Sequence, residues 1–149
     1  KNYRSASDIM RQVAFGKLDL HLHMHHATDE GTDLDELSRE ILKDCLMPLK
    51  TENPTMARRF SHLFSSPVGY AAGYYSYKWA EVLSSDAYAA FEETMGADGL
   101  PNVQTGQKYR QAILEAGGSR PAIESFKAFR GREPTLDALL RHQGMAQTA

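Results

Sequence analysis

Apolar residues recur at helical spacing along almost the whole chain. Between Ser5 and His26 they fall at Ile9, Val13, Leu18, Leu20, Leu22 and Met24, which predicts one long helix. The second half of that segment, KLDLHLHMHH, alternates apolar and polar residues as a strand does. No other run offers it a partner, and a lone strand is not stable, so helix is the reading taken. The next segment, DLDELSREILKDCL, sets Leu34, Leu37, Ile41, Leu42 and Cys45 on one face. Thr32 or Asp33 stands where an N-cap belongs, with Glu36 placed for a capping box. Met47-Pro48 ends this helix.

A polar connection from Leu49 to Pro54 leads into a short segment, TMARRFSHLF, and SSPVG then marks a loop. A helical pattern runs from about Tyr75 to Glu93 and stops at MGADGLPN. Another runs from Thr105 to Glu115 and is closed by Gly117-Gly118. Ser119 is placed to cap the next helix, which carries Ile123, Phe126 and Phe129 and stops at Gly131. The last, PTLDALLRHQG, is expected to start on Pro134 and end on Gly144. The chain is therefore expected to be all-α: an irregular multi-helix bundle of six or seven helices. Residues 1–149 are expected to form a single helical segment with a flexible loop at about 65–74.

Composition narrows the function classes. The chain has 149 residues, 42% hydrophobic and 24% charged, enough for one domain with a real core. A net charge of −2 supplies no basic field for nucleic acid or an anionic membrane. No run of eighteen apolar residues exists to span a bilayer. The start, KNYRSASDIMRQ, lacks the apolar centre of a signal peptide. Cys45 is the single cysteine, so no internal disulfide forms and a reducing, cytoplasmic compartment is expected. A first residue of lysine rather than methionine fits a trimmed or excised piece.

Two clusters could carry chemistry. His21, His23, His25 and His26 crowd into six residues, as in a metal site. On a helix, however, His21 and His25 share one side, while His23 and His26 lie on roughly the opposite side. The four cannot converge on one ion, and no HExxH glutamate is present, since Leu22 follows His21. No metal site is expected. Cys45 lies on an apolar helix face, which suits a buried inert thiol. Arg58-Arg59 and Arg132, which follows Gly131, read as surface or structural ion-pair residues, because no glycine-rich phosphate loop accompanies them.

The other cluster is GYAAGYYSYKWAEV, residues 69–82. Tyr70, Tyr74 and Tyr77 are spaced to share one helical stripe that Glu81 continues. Ala72, Tyr75, Trp79, Val82 and Leu83 would form the opposite, core face. Packing alone could account for such large amphipathic residues. Gly69 and Gly73, however, each cost about 1 kcal/mol inside a helix. They make the stretch before Tyr75 a loop that opens into a helix, and a mobile phenol-bearing loop suits ligand closure. His62 lies just upstream. A histidine and several phenols can all donate to a carbonyl oxygen that turns negative.

FSHLF, GYAAGYYSYKWAEVLSSDAYAAFEE, ILEAGGS and FKAFRGREPTLDALLRHQG together resemble the C-terminal end of the thimet oligopeptidase / oligopeptidase A family of zinc metallopeptidases. VAFGKLDLHLH is similar to a segment that follows the metal site in that family. The resemblance covers nearly the whole chain. It implies a two-lobed helical enzyme whose channel admits short peptides. Zinc there is held by the two histidines of an HExxH helix and a later glutamate, with the HExxH glutamate as general base.

No HExxH occurs in these 149 residues, so the ligands are expected upstream and the isolated chain is expected to be inactive and zinc-free. Mapped by motif, the resemblance makes His62, Tyr70 and Tyr77 the catalytic residues. Gly69, Gly73 and Tyr74 become substrate-binding residues, with Tyr75 and Trp79 anchoring the helix in the core. SSPVG departs from the family by its length, and Pro67 stiffens it, which bears on the placement of His62. Expected partners are short peptides and the missing N-terminal part of the same chain, with no nucleic acid and no membrane. Cut from that context, the piece is expected to self-associate or to carry disordered segments around Ser65 to Gly73. The alternative is a catalytically silent helical domain that binds a peptide or another protein.

Overall fold

A computed structural model describes residues 2–25, 31–47, 50–51 and 55–145. Among the described residues there are seven α-helices and no strand. The chain divides into two compact units, residues 1–78 and 79–149.

The first unit is built on α1 (Ser5–His25) and α2 (Leu34–Leu42). The alternating half of α1 is helical, as expected. Asp8 in its first turn and His23 and His25 in its last suit the helix dipole. Ala14, Leu18 and Leu22, one per turn, go inward with Gly16 and Asp19. Val13 and Met24 stay exposed at 43% and 67%, because residues that alternate by two cannot all share one helical face. Ala14, Leu18 and Leu22 pack with Ile41, Leu42 and Ala57, and Leu34, Leu37 and Cys45 close around them.

Asp33 is the N-cap of α2, accepting from the backbone N–H of Asp35 at 2.9 Å and Glu36 at 3.1 Å. The helix stops at Leu42, earlier than its apolar face suggested. The Cys45 and Leu46 N–H groups both return to the Leu42 carbonyl, at 2.8 and 3.1 Å, which closes the last turn. Cys45 thus follows the helix and is half-buried rather than enclosed. The carboxylate of Asp35 accepts from Thr55 N–H and O–H, at 3.0 and 2.6 Å, and from Arg58 Nε at 2.7 Å. These bonds hold the carboxyl down at about 2 and tie α2 to a 3₁₀ turn, Ala57–Arg59. Arg58 is thus a structural ion-pair residue, as expected. α3 (Ser61–Phe64) follows and buries Leu63, beside a buried Phe60.

α4 (Ser76–Glu93) begins in the first unit, close to the expected Tyr75 start. In the second unit it turns Val82, Asp86, Ala89 and Ala90 inward. Tyr75 and Trp79 do not anchor it: they are 53% and 49% exposed. Trp79 lies one turn before Val82, where the core begins. Tyr75 presents its backbone to α1, with its Cα 3.5 Å from where a Cβ on Gly16 would stand, and its ring is left outside.

α5 (Val103–Tyr109) is capped by Asn102, which accepts from Gln104 and Thr105 N–H. It passes into a π-helical turn, Arg110–Leu114, so the expected 105–115 helix is present in two geometries. α6 (Ala122–Arg130) starts after Pro121, not on a Ser119 cap. The Ser119 hydroxyl donates instead to the Ala116 carbonyl at 2.6 Å. Gly131 ends α6 at φ 76°, a left-handed residue where glycine carries no strain. Phe91, Tyr109 and Phe129 interlock in this core, beside Ala90 and Ala112.

α7 (Asp137–His142) begins later than Pro134. The segment ahead of it is gathered on Asp86. Its carboxylate accepts from Arg132 Nη1 and Nη2 at 2.7 and 2.6 Å, Arg130 Nε at 3.1 Å and Thr135 N–H at 2.9 Å. Burial pushes the Asp86 carboxyl up, but Arg132 and Thr135 outweigh it and the group stays below its usual range. Arg132 is therefore the structural ion-pair residue expected of it.

Candidate functional site

Residues 65–75 form successive turns rather than a helix. Gly69 N–H reaches the Ser66 carbonyl at 3.3 Å, Gly73 N–H that of Tyr70 at 2.9 Å, and Ser76 N–H that of Gly73 at 3.0 Å. The last of these leads into α4. Tyr70 and Tyr74 are thus off any helix, as the glycines implied, yet the turns return their rings to one place.

His62, on α3, sets its ring edge-on to Tyr70 at 5.8 Å and to Phe60 at 4.9 Å. Tyr70 stacks on Tyr77 at 5.9 Å, with planes 17° apart. Tyr77 meets Tyr74 at 5.3 Å. Tyr74 in turn packs edge-on against Phe60 at 5.0 Å and Phe15 at 5.8 Å. All four predicted ring residues therefore belong to one contiguous aromatic wall, and SSPVG does not hold His62 away from it. The wall has an inside and an outside. Phe60 is buried and Tyr74 half-buried, whereas His62 is exposed and Tyr70 and Tyr77 are 44% and 46% exposed.

A hydrogen bond with Tyr70, reinforced by desolvation, raises Tyr77 above the ordinary phenol range. Tyr77 therefore stays a neutral hydroxyl at pH 7. Chemically, the wall offers neutral O–H donors and an imidazole to a polar ligand lying across it.

One residue holding this wall was not anticipated. Asp19, on α1, is fully buried, and its carboxylate accepts from Ala72 N–H at 2.9 Å and Tyr74 N–H at 2.8 Å. Ala72 takes a left-handed φ of 52°, the one non-glycine residue of the turns to do so. Gly69 and Gly73 have no such φ. His23 places Nδ1 2.9 Å from both the carbonyl and the Oδ1 of Asp19. Both are acceptors, so Nδ1 carries the proton. The sequence does hold a signal: an aspartate between Leu18 and Leu20, on an apolar face, needs a donor from elsewhere.

The histidine cluster divides as expected. His21 and His25 lie side by side, ring centroids 5.1 Å apart. His23 turns to Asp19 and Phe64, and His26 lies outside the described residues. Among the described residues no three of His, Cys, Asp and Glu are gathered to hold a cation. The described side chains therefore do not fit the catalytic zinc that the resemblance implies. A shallow hollow between Thr32 and Glu40 lies in the same unit but contains no histidine or phenol. It is not part of the wall.

Comparison with known proteins bears on what this wall serves. A model of peptidase family M3 matches residues 1–145. Oligopeptidase A of Salmonella typhimurium is 46% identical over 97% of this chain and 20% of its own length. Probable cytosolic oligopeptidase A of Arabidopsis thaliana is 42% identical, over the same shares. Dipeptidyl carboxypeptidase of Salmonella typhimurium is 30% identical, over 96% of this chain and 20% of its own. The chain thus spans about a fifth of the length of these relatives.

Proposed function

Because this chain belongs to peptidase family M3, we propose that it forms the C-terminal portion of a zinc-dependent oligopeptidase that hydrolyses short peptides. Its part is to supply one wall of the substrate site, with the zinc ligands carried by residues outside the chain. A single observation carries this: His62, Tyr70 and Tyr77 meet ring to ring on an exposed face.

The wall's chemistry suits amide hydrolysis. When a peptide carbonyl is attacked, its oxygen becomes negative, and a neutral hydroxyl aimed at that oxygen stabilises it more than it stabilises the substrate. Tyr77 is the donor in this role: its hydroxyl is neutral at pH 7, and its ring lies on the exposed side of the wall. Tyr70 and His62 grip the peptide backbone or the same oxygen. Tyr74, half-buried behind them, contacts substrate with part of its ring and supports Tyr77 with the rest. Gly69 and Gly73 offer the peptide a stretch of turn backbone that carries no side chain.

The exposed rings of Tyr75 and Trp79 support the presence of a further segment of the same protein, which would cover them. Among the described residues no helix is long and apolar enough to cross a membrane, and the lone cysteine suits a cytoplasmic setting.

The test compares two polypeptides for hydrolysis of a short peptide in added zinc: this chain alone and the longer peptidase that contains it. Only the longer one should be active. Activity of the chain alone would assign the metal to His21 and His25 and overturn the division of labour. Inactivity of both would favour a silent peptide-binding domain.

A further inference from the structure

We infer that Asp19 is the positioning residue of the phenol wall, fixing it through the backbone rather than by touching a ligand. Its two carboxylate oxygens are divided between two backbone donors of the turn, Oδ1 to Ala72 N–H and Oδ2 to Tyr74 N–H. These donors bracket Gly73, so the three-residue turn is held at both ends. Tyr74 then points its ring between Phe15 and Phe60, and its other side is the seat of Tyr77.

A carboxylate suits this place better than a neutral acceptor. A fully buried charge is tolerated only with its hydrogen bonds made, so the turn has no low-energy arrangement in which one N–H swings away. The same demand explains Ala72: its left-handed backbone is unfavourable for a residue with a Cβ, and the bond to Asp19 holds it there. His23 adds a third constraint. Its Nδ1–H donates to the Asp19 carboxylate, and its ring stacks on Phe64 at 5.3 Å with planes 13° apart. Phe64 ends α3, the helix that carries His62. One turn of α1, Asp19 to His23, is therefore fastened to both pieces of the wall.

Only the catalytic consequence rests on the proposed peptidase role; the geometry does not. The test is accordingly conformational and uses the 149-residue chain. Amide hydrogen exchange is measured at Ala72 and Tyr74, and ring proton shifts are recorded for Tyr70, Tyr74 and Tyr77. In the unaltered chain the two amides should exchange at least ~100-fold slower than free turn amides. Asp19→Asn keeps the shape but turns an NH₂ toward one of the donors. It should speed that exchange roughly tenfold or more and shift the three tyrosine rings. The Phe91 and Phe129 rings of the second unit should not move, whereas general destabilisation would disturb both sets. Free-turn exchange rates in the unaltered chain, or tyrosine shifts unmoved by Asp19→Asn, would overturn the inference. Exchange in the unaltered chain remains decisive even if the variant does not fold. Moved rings combined with unchanged peptide hydrolysis in the longer enzyme would leave the positioning role standing and sink the catalytic one.

Discussion

Tyr70 stacks on Tyr77 with ring centroids 5.9 Å apart and planes 17° apart, although Tyr70 sits in a turn and Tyr77 in the first turns of a helix. The hydrogen bond between them favours the protonated form of Tyr77. Replacing Tyr70 with Phe removes that partner, so Tyr77 should titrate lower, nearer the ordinary ~10 of a free phenol. Whatever stability the bond adds is present below the ordinary pKa and lost as pH rises through the raised one. Phenolate absorbance followed against pH in both proteins checks this. An unmoved or raised Tyr77 titration in Tyr70→Phe would show that the bond does not set it.

Ala72 offers a second check. At φ 52° a β-branched side chain is strained, so Ala72→Val should destabilise the chain by about 1–2 kcal/mol. Ala72→Gly relieves the strain but loosens the unfolded chain, and should fall within ~1 kcal/mol of no change. Urea unfolding measures both. A harmless Val substitution would mean that the turn is not left-handed there.

Asp86 concentrates the stability of the second unit. It is 1% exposed and receives Arg130, Arg132 and the Thr135 N–H. Asp86→Ala leaves a nearly buried Arg130 with only Glu93 opposite, and should cost about 3–5 kcal/mol. A loss under ~1 kcal/mol in urea unfolding would show that the pairing is replaceable by water.

Acid should act on the first unit through Asp35, which titrates at about 2 against an ordinary 3.8. A depressed carboxyl contributes stability above its ordinary value, and that contribution is lost as pH falls through the lower one. The melting temperature should therefore fall between about pH 4 and pH 2. Asp35→Asn should flatten that part of the profile. Added salt should weaken the effect, since Arg58 is half exposed. An identical acid profile in the variant would show that Asp35 does not set it.

Much of this was legible in the sequence because it is local. Helical spacing, the Asp33 cap and the Gly131 stop depend on neighbours a few residues away. The motif groups His62, Tyr70, Tyr74 and Tyr77 as an expected site, and their rings do meet. What escaped was set at long range. Asp19 finds its donors 53 and 55 residues away, and Asp86 finds Thr135 49 residues away. Neither pairing leaves a periodic trace. Tyr75 and Trp79 were misplaced for a related reason. Apolar character says that a ring prefers cover, but not which element lies close enough to supply it.

The most direct measurement is the steady-state kinetics of peptide hydrolysis by the longer peptidase carrying Tyr77→Phe. Phe keeps the ring that packs on Tyr70 and Tyr74 and removes only the hydroxyl. If that hydroxyl meets the developing oxyanion, kcat should fall by about 10²–10³ with KM little changed. An unchanged kcat would take Tyr77 out of the reaction and leave the wall as packing alone.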